Sequence, residues 1–167
     1  MVSTKQLISQ LSRNTIYLSC ISSIGLLLSI YSLSIEIRHQ NGQTYDAFCD
    51  INSYISCSKV FLSSYGKGFG LLSAPLDLPN PVFGVILYSL QAIVANILHT
   101  NLLLTKLYII VSLISNLGSL YLAYILAFVL KNFCIVCVAI YVINFLQLMI
   151  AYNRYRIITS FKRLKKD

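Results

Sequence analysis

The chain has 167 residues, of which 57% are hydrophobic and 11% charged; its mean hydropathy is +0.74 and its formal net charge is +8. This composition excludes an ordinary soluble domain, in which charged residues make up about a quarter of the chain. The basic excess does not indicate nucleic-acid binding, because the lysines and arginines flank long uncharged runs instead of forming one polar patch.

Four uncharged runs dominate the sequence. No Asp, Glu, Lys or Arg occurs in residues 14–35, 78–105, 107–130 and 132–153, which hold 22, 28, 24 and 22 residues. A helix of about 20 apolar residues crosses the hydrocarbon core of a bilayer and satisfies its own backbone groups there. The runs predict an all-α membrane protein, a four-transmembrane-helix bundle in a single domain 1–167. The predicted spans are about 14–35, 81–99, 107–130 and 133–153.

The distribution of basic residues predicts the orientation of the bundle. Nine lysines and arginines lie on the side that carries both termini, and four lie on the opposite side: Arg38, Lys59, Lys67 and Lys131. The positive-inside rule therefore predicts cytosolic termini and a large lumenal loop at 36–80. The short connections at 100–106 and 130–133 predict an up-down-up-down bundle. A lumenal compartment permits disulfides.

The 36–80 loop carries the polar part of the sequence and two cysteines. Its 50–65 segment predicts a short amphipathic helix with apolar residues facing the bilayer or the bundle. Cys49 and Cys57 lie eight residues apart. Two interpretations stay open for this pair, which either closes the loop as a plain disulfide or exchanges electrons with a second cysteine pair through a mixed disulfide.

Asn80 and Pro81 mark the start of the second span. Asn is favoured as a helix N-cap and Pro at the first helical position, so the sequence predicts that Asn80 caps this helix. A second interpretation is that the Asn80 amide donates a hydrogen bond to a carbonyl in the mouth of the bundle. Both roles are compatible if the cap lies beside a cavity.

A Cys-x-x-Cys motif opens the fourth span. Cys134 and Cys137 lie in the first turn of that helix, where unpaired backbone N–H groups and the helix dipole favour a thiolate. Helical spacing places Tyr141 and Asn144 on the same stripe, which predicts an interior polar line. A structural disulfide and a zinc site remain alternatives; zinc would require two more ligands, which Cys49 and Cys57 can supply.

These motifs together resemble the vitamin K epoxide reductase family, in its stand-alone animal form, over nearly the whole chain. The resemblance rests on the four spans and on the following segments: Cys49-Asp50, Ser56-Cys57-Ser58-Lys59-Val60-Phe61, Gly66-Lys67-Gly68-Phe69-Gly70, Asn80-Pro81-Val82-Phe83-Gly84 and Phe133-Cys134-Ile135-Val136-Cys137 with Tyr141. Pro81 and Leu87 depart from the commonest pattern, which bears on inhibitor sensitivity.

The resemblance implies a residue for each step of a thiol relay. Cys137 would react with the quinone or epoxide, Cys134 would exchange with Cys57, and Cys49 would accept electrons from an external thiol. Asn80 and Tyr141 would hydrogen-bond the substrate oxygens. The remaining candidate substrate contacts are apolar: Phe61, Phe69, Phe83, Leu87, Leu122 and Leu126. The first four suit a flat apolar ring, and the alternative for them is simple packing.

The resemblance also implies the reaction and its setting. The expected activity is thiol-dependent reduction of vitamin K 2,3-epoxide to the quinone and of the quinone to the hydroquinone, in the endoplasmic reticulum membrane, with no metal and no tightly bound cofactor. Expected partners are membrane lipid and lumenal thioredoxin-like thiols, and warfarin-type inhibitors would use the same pocket. The alternatives are a quinone-linked disulfide generator for lumenal proteins and a non-enzymatic four-span scaffold or transporter.

Overall fold

Four long helices form the fold. The computed structural model describes residues 4–41, 47–52, 54–71, 78–98 and 101–164; parts of the predicted 36–80 loop (42–46, 53 and 72–77) and position 99 of the second span lie outside them. The long helices are α1 (Thr4–Gln40), α3 (Asn80–Ile97), α4 (Leu102–Tyr124) and α5 (Ile135–Leu164), and a short helix α2 covers Cys57–Phe61. All four long helices have the length and hydropathy needed to cross a membrane, as predicted.

Helices α1 and α5 extend beyond the predicted spans at the ends that carry basic residues. Helix α1 begins at Thr4 and not near position 14, and α5 continues to Leu164. The uncharged runs mark the part of each helix that fits hydrocarbon, whereas the helical hydrogen bonds continue into water. Helix α4 runs directly into one π-helical turn, Ile125–Val129, where the Leu130 N–H donates to the Ile125 carbonyl at 2.9 Å.

The pairs α1–α3, α1–α5 and α4–α5 are antiparallel. Helix α1 packs against both α3 and α5, and α4 packs against α5. Small residues allow the close approach of α1 and α3, because the Tyr88 ring lies directly over Gly25 and the Ser29 side chain lies over Gly84. Arg154 joins α5 to α1 by donating to the Leu11 carbonyl at 2.9 Å.

The segment between α1 and α3 folds into short pieces over one end of the bundle. The amphipathic helix predicted for 50–65 is confined to α2, which begins after the N-cap Ser56; the Ser56 hydroxyl accepts from Lys59 N–H. Two 3₁₀ turns, Ser64–Gly66 and Gly68–Gly70, follow. Gly66 is required there, because a Cβ at this position would collide with the Phe61 carbonyl oxygen. The helix predicted for 50–65 therefore ends at Phe61, and the first 3₁₀ turn takes its place from Ser64.

Candidate active site

An apolar cavity opens beneath the 60–71 segment, between the four long helices. Its volume is about 800 Å³, within the usual range for small-molecule sites. The cavity wall includes all eight side chains that the sequence proposed as substrate contacts: Phe61, Phe69, Asn80, Phe83, Leu87, Leu122, Leu126 and Tyr141. The Phe69 and Phe83 rings lie 5.3 Å apart on one wall.

The two cysteines of the Cys-x-x-Cys motif face different surroundings. Cys137 lines the cavity, whereas Cys134 is fully buried outside it. The Cys134 sulfur accepts the Cys137 backbone N–H at 3.2 Å, so Cys134 occupies the position of an N-cap for α5. A thiolate at this helix N-terminus is stabilised by the backbone donor and by the helix dipole. Both thiols are free in the structure.

Cys49 and Cys57 form a disulfide, with their Cα atoms 5.7 Å apart. Both are buried, Cys57 completely. Because this bond engages two of the four sulfurs, the four cysteines do not form a zinc-ligand set here. The structure therefore has an oxidised pair in the loop and a reduced pair at the start of α5.

Backbone hydrogen bonds hold the loop pair against the helix pair. The Phe133 N–H donates to the Tyr54 carbonyl at 2.7 Å, and the Ser56 N–H donates to the Phe133 carbonyl at 3.1 Å. The next residues along the two segments, Cys57 and Cys134, are both fully buried and belong to one apolar cluster with Cys49. This arrangement brings together the two cysteine pairs that the sequence proposed to exchange electrons.

The Asp50 carboxylate fastens the loop around the disulfide. Its two oxygens accept the Ala47 N–H at 2.9 Å and the Ser58 N–H at 3.1 Å, residues that lie beside Cys49 and Cys57. Burial alone raises the pKa of Asp50, but hydrogen bonds from Ser58, Ser56 and Ala47 outweigh it and lower the pKa below its usual value. The ionised carboxylate is therefore the form that this loop stabilises.

Replacing Asp50 by asparagine is expected to destabilise the fold at neutral pH only. The variant keeps the shape but loses one of two backbone acceptors, so Tm should fall by about 2–4 °C at pH 7. The pKa of Asp50 in the folded state lies below its value of about 3.9 in the unfolded state. The carboxylate therefore stabilises the fold fully above the unfolded-state pKa. This stabilisation is lost as the pH falls through the folded-state pKa. Thermal unfolding at neutral and acidic pH measures this; a difference that persists in acid would contradict it.

Asn80 does not cap α3, contrary to the prediction. Helix α3 begins at Asn80 itself, after Pro79, and Pro81 is the second helical residue. The Asn80 side-chain oxygen accepts the Phe69 N–H at 2.8 Å, and its amide donates to the Tyr65 carbonyl at 2.7 Å. The oxygen is therefore engaged with the loop and is not available to the helix. These bonds fix the loop over the cavity and hold the Asn80 amide at its wall.

A second polar group lies at the cavity wall deeper in the bundle. The Tyr88 hydroxyl donates to the Asn144 side-chain oxygen at 2.8 Å, and the Asn144 amide donates to the Ser119 hydroxyl at 2.8 Å. All three line the cavity. The sequence placed Asn144 on the polar stripe of α5 but missed Tyr88 and Ser119; the helical spacing of Asn80, Gly84 and Tyr88 is the signal that could have located Tyr88.

Comparison with known proteins agrees with this arrangement. The family model described as the vitamin K epoxide reductase family matches residues 16–152. The mouse and rat proteins named vitamin K epoxide reductase complex subunit 1 are each 38% identical to the chain over 136 residues, which is 78% of this chain and 83% of each relative. The family match spans all of α3 and α4 and the larger part of α1 and α5, and it contains both cysteine pairs. The chain belongs to the vitamin K epoxide reductase family.

Proposed function

We propose that this protein is a membrane oxidoreductase that uses thiols to reduce vitamin K 2,3-epoxide to the quinone, and the quinone to the hydroquinone. One observation carries the proposal. Cys137 lines an apolar cavity of about 800 Å³, while its partner Cys134 lies buried beside the loop disulfide. A substrate reduced in the cavity can therefore draw electrons from thiols outside it.

The chemical step takes place between Cys137 and the substrate ring. The Cys137 sulfur attacks the ring as its thiol proton is lost, while donors from Asn80 and Tyr141 stabilise the developing oxyanion. Cys134 then attacks the Cys137 sulfur, which forms the Cys134–Cys137 disulfide and leaves two electrons on the substrate. The epoxide plus two thiols yields the quinone, one disulfide and one water; the quinone plus two thiols yields the hydroquinone and one disulfide.

The loop cysteines restore the dithiol. An external dithiol reduces the Cys49–Cys57 disulfide by attack at Cys49 and leaves as its own disulfide. The freed Cys57 thiolate attacks Cys134, which releases Cys137 and forms a Cys57–Cys134 disulfide. Cys49 then attacks Cys57, which releases Cys134 and re-forms the loop disulfide. The support for this path is the burial of Cys57 and Cys134 in one cluster beside the 56–133 backbone hydrogen bond. Each exchange conserves one disulfide, so two electrons pass from the external thiol to the cavity.

The apolar wall binds the naphthoquinone ring and orients it. Burial of apolar surface supplies the affinity, and a few polar groups at the wall fix the orientation. The contacts proposed for the ring are Phe61, Phe69, Phe83, Leu87, Leu122 and Leu126. Warfarin-type inhibitors would compete for the same surface, and no tightly bound cofactor takes part.

We place this single domain, residues 1–167, in the endoplasmic reticulum membrane with both termini cytosolic. The excess of basic residues at the ends that carry the termini supports this orientation, and the family resemblance suggests the compartment. The 36–80 loop then lies in the lumen, where thioredoxin-like protein thiols supply electrons and oxidation of Cys49 and Cys57 is permitted.

A second candidate function uses the same four cysteines to oxidise the thiols of partner proteins. The Cys49–Cys57 pair is oxidised while Cys134 and Cys137 are free, a distribution compatible with a loop disulfide that oxidises partner thiols. In that function the quinone is the oxidant and disulfide-bonded partner protein is the main product. The two functions differ in the direction of net electron flow.

Substrate conversion by the purified protein tests the proposed function. With dithiothreitol as the reductant, we expect vitamin K epoxide to be converted to the quinone and then to the hydroquinone. Chromatography measures the amounts of the three compounds. Dithiothreitol without protein is the control. Conversion of other quinones but not of the epoxide, by folded protein with intact cysteines, would favour the disulfide-generating function.

A further inference from the structure

A layer of buried polar side chains crosses the bundle just beyond the cavity. It contains one residue from each long helix: Ser22 of α1, Gln91 of α3, Ser112 of α4 and Gln147 of α5. Gln91 is 3% exposed and the other three are 0% exposed. None of the four lines the cavity. Polar groups at membrane depth are costly, so a set drawn from all four helices requires an explanation.

Two flanking layers fix the position of these residues. On the cavity side lie Tyr88 and Asn144, which are joined by a hydrogen bond, and Asn116, whose amide donates to the Asn144 carbonyl at 2.9 Å. On the other side an apolar cluster joins the four helices through Leu18, Ala95, Tyr108 and Ala151. Gln91, Ser112 and Gln147 each lie about one helical turn from both flanking layers of their own helices. Ser22 lies one turn from Leu18 and accepts a hydrogen bond from Gln147, so the four residues share one level of the bundle.

The hydrogen bonds within the layer are incomplete. The Gln147 amide donates to the Ser22 hydroxyl at 2.9 Å, and Ser22 lies 3.5 Å from the Tyr108 hydroxyl. Both polar atoms of Gln91, the Ser112 hydroxyl oxygen and the Gln147 side-chain oxygen are buried and have no hydrogen-bond partner in the part of the chain that the structure describes. Four such atoms from three helices can give a water molecule the two to four partners it needs.

We propose that Gln91, Ser112 and Gln147 form an internal water site, and that this site receives the water released when an epoxide is reduced in the cavity. The second part rests on the proposed function. In that reaction both C–O bonds of the epoxide break, a carbon–carbon double bond and the Cys134–Cys137 disulfide form, and the oxygen leaves with the two thiol protons as water.

Tyr88, Asn144 and Ser119 lie between the cavity and the buried polar layer. All three line the cavity, and Tyr88 and Asn144 each lie one turn from a glutamine of the layer. The rest of the cavity wall is mainly apolar and holds a released water poorly. A chain of hydroxyl and amide groups leading from the wall into the layer gives that water hydrogen-bond partners along its path.

Comparison of the two reduction steps tests this function, because quinone reduction releases no water. We expect Gln91→Leu and Gln147→Leu to lower kcat for epoxide reduction by about fivefold, the effect of losing one hydrogen bond, without changing kcat for quinone reduction. Asn96→Leu is the matched control, since Asn96 is an exposed amide on α3 outside the layer. Equal effects on both steps, or no effect on either, would overturn the water-receiving role.

Direct observation of the layer provides a readout that does not depend on turnover. A density map of the wild-type protein in lipid should contain ordered water within hydrogen-bonding distance of Gln91, Ser112 and Gln147. A layer without water, in which these side chains bond only to each other, would overturn the site itself. Failure of wild-type epoxide turnover would instead reject the proposed function and leave the water site to be decided by the density.

Discussion

Replacing Cys137 by alanine is expected to abolish reduction of both the epoxide and the quinone, lowering kcat by about 1,000-fold or more. Cys137 is the cysteine of the relay that lines the cavity, so its removal leaves the substrate without a sulfur nucleophile. The loss should persist with dithiothreitol as the reductant, because a small dithiol bypasses the loop but cannot replace the attacking atom. Conversion of the epoxide by membranes that contain the variant measures the effect.

Cys20→Ala is the matched control for this experiment. Cys20 is a free cysteine on an exposed position of α1, far along the chain from either pair, and its loss should leave turnover unchanged. Substrate-free thermal unfolding of both variants shows whether the fold is kept. Wild-type turnover by a folded Cys137→Ala protein would reject the assignment of Cys137 as the reacting thiol.

Replacing Cys49 by alanine is expected to separate two routes of reduction. Turnover driven by a reduced thioredoxin-like protein should fall by about tenfold or more, because the loop loses the sulfur that exchanges with the donor. Turnover driven by dithiothreitol should persist, since a small dithiol can enter the cavity and reduce the Cys134–Cys137 disulfide at Cys137. Parallel assays with the two reductants measure the separation.

The Asp50→Asn variant controls for loosening of the loop. It weakens the hydrogen bonds to Ala47 and Ser58 but keeps both loop sulfurs. It should therefore retain reduction by the protein donor, unlike Cys49→Ala. If Cys49→Ala loses turnover equally with both reductants, Cys49 supports the fold and does not relay electrons.

The sequence predicted the helices better than it predicted their ends and interruptions. Uncharged runs located all four long helices, because a charge is expensive in hydrocarbon and limits each span. The runs could not locate the start of α1 at Thr4, since helical hydrogen bonds continue beyond the bilayer. The π turn at Ile125–Val129, which contains the cavity residue Leu126, depends on a one-residue shift of the helical hydrogen bonds, and such a shift leaves no mark in hydropathy.

For the candidate site as well, the sequence predicted some features and missed others. The resemblance identified Cys137 and eight other residues of the cavity wall, and the stripe of α5 identified Asn144, but Tyr88 and Ser119 were missed. The actual partners of Asn80 were not predictable, because Tyr65 and Phe69 reach it only after the loop folds back over the bundle. The buried polar layer was also missed: Gln91 and Gln147 are neutral and lie within runs defined by the absence of charge. Their shared level becomes evident only when the helices are packed.

Trapping a disulfide between the loop and α5 tests most directly the claim that electrons pass from the loop cysteines to the cavity. In a Cys49→Ala/Cys137→Ala double variant, the thiols of Cys57 and Cys134 have each lost their usual partner, and mild oxidation should join them. Mass spectrometry of unreduced peptides should then find a Cys57–Cys134 disulfide as the main crosslink. Both cysteines free under these conditions, or either one joined to Cys20, would contradict electron transfer from the loop through Cys134 to the cavity.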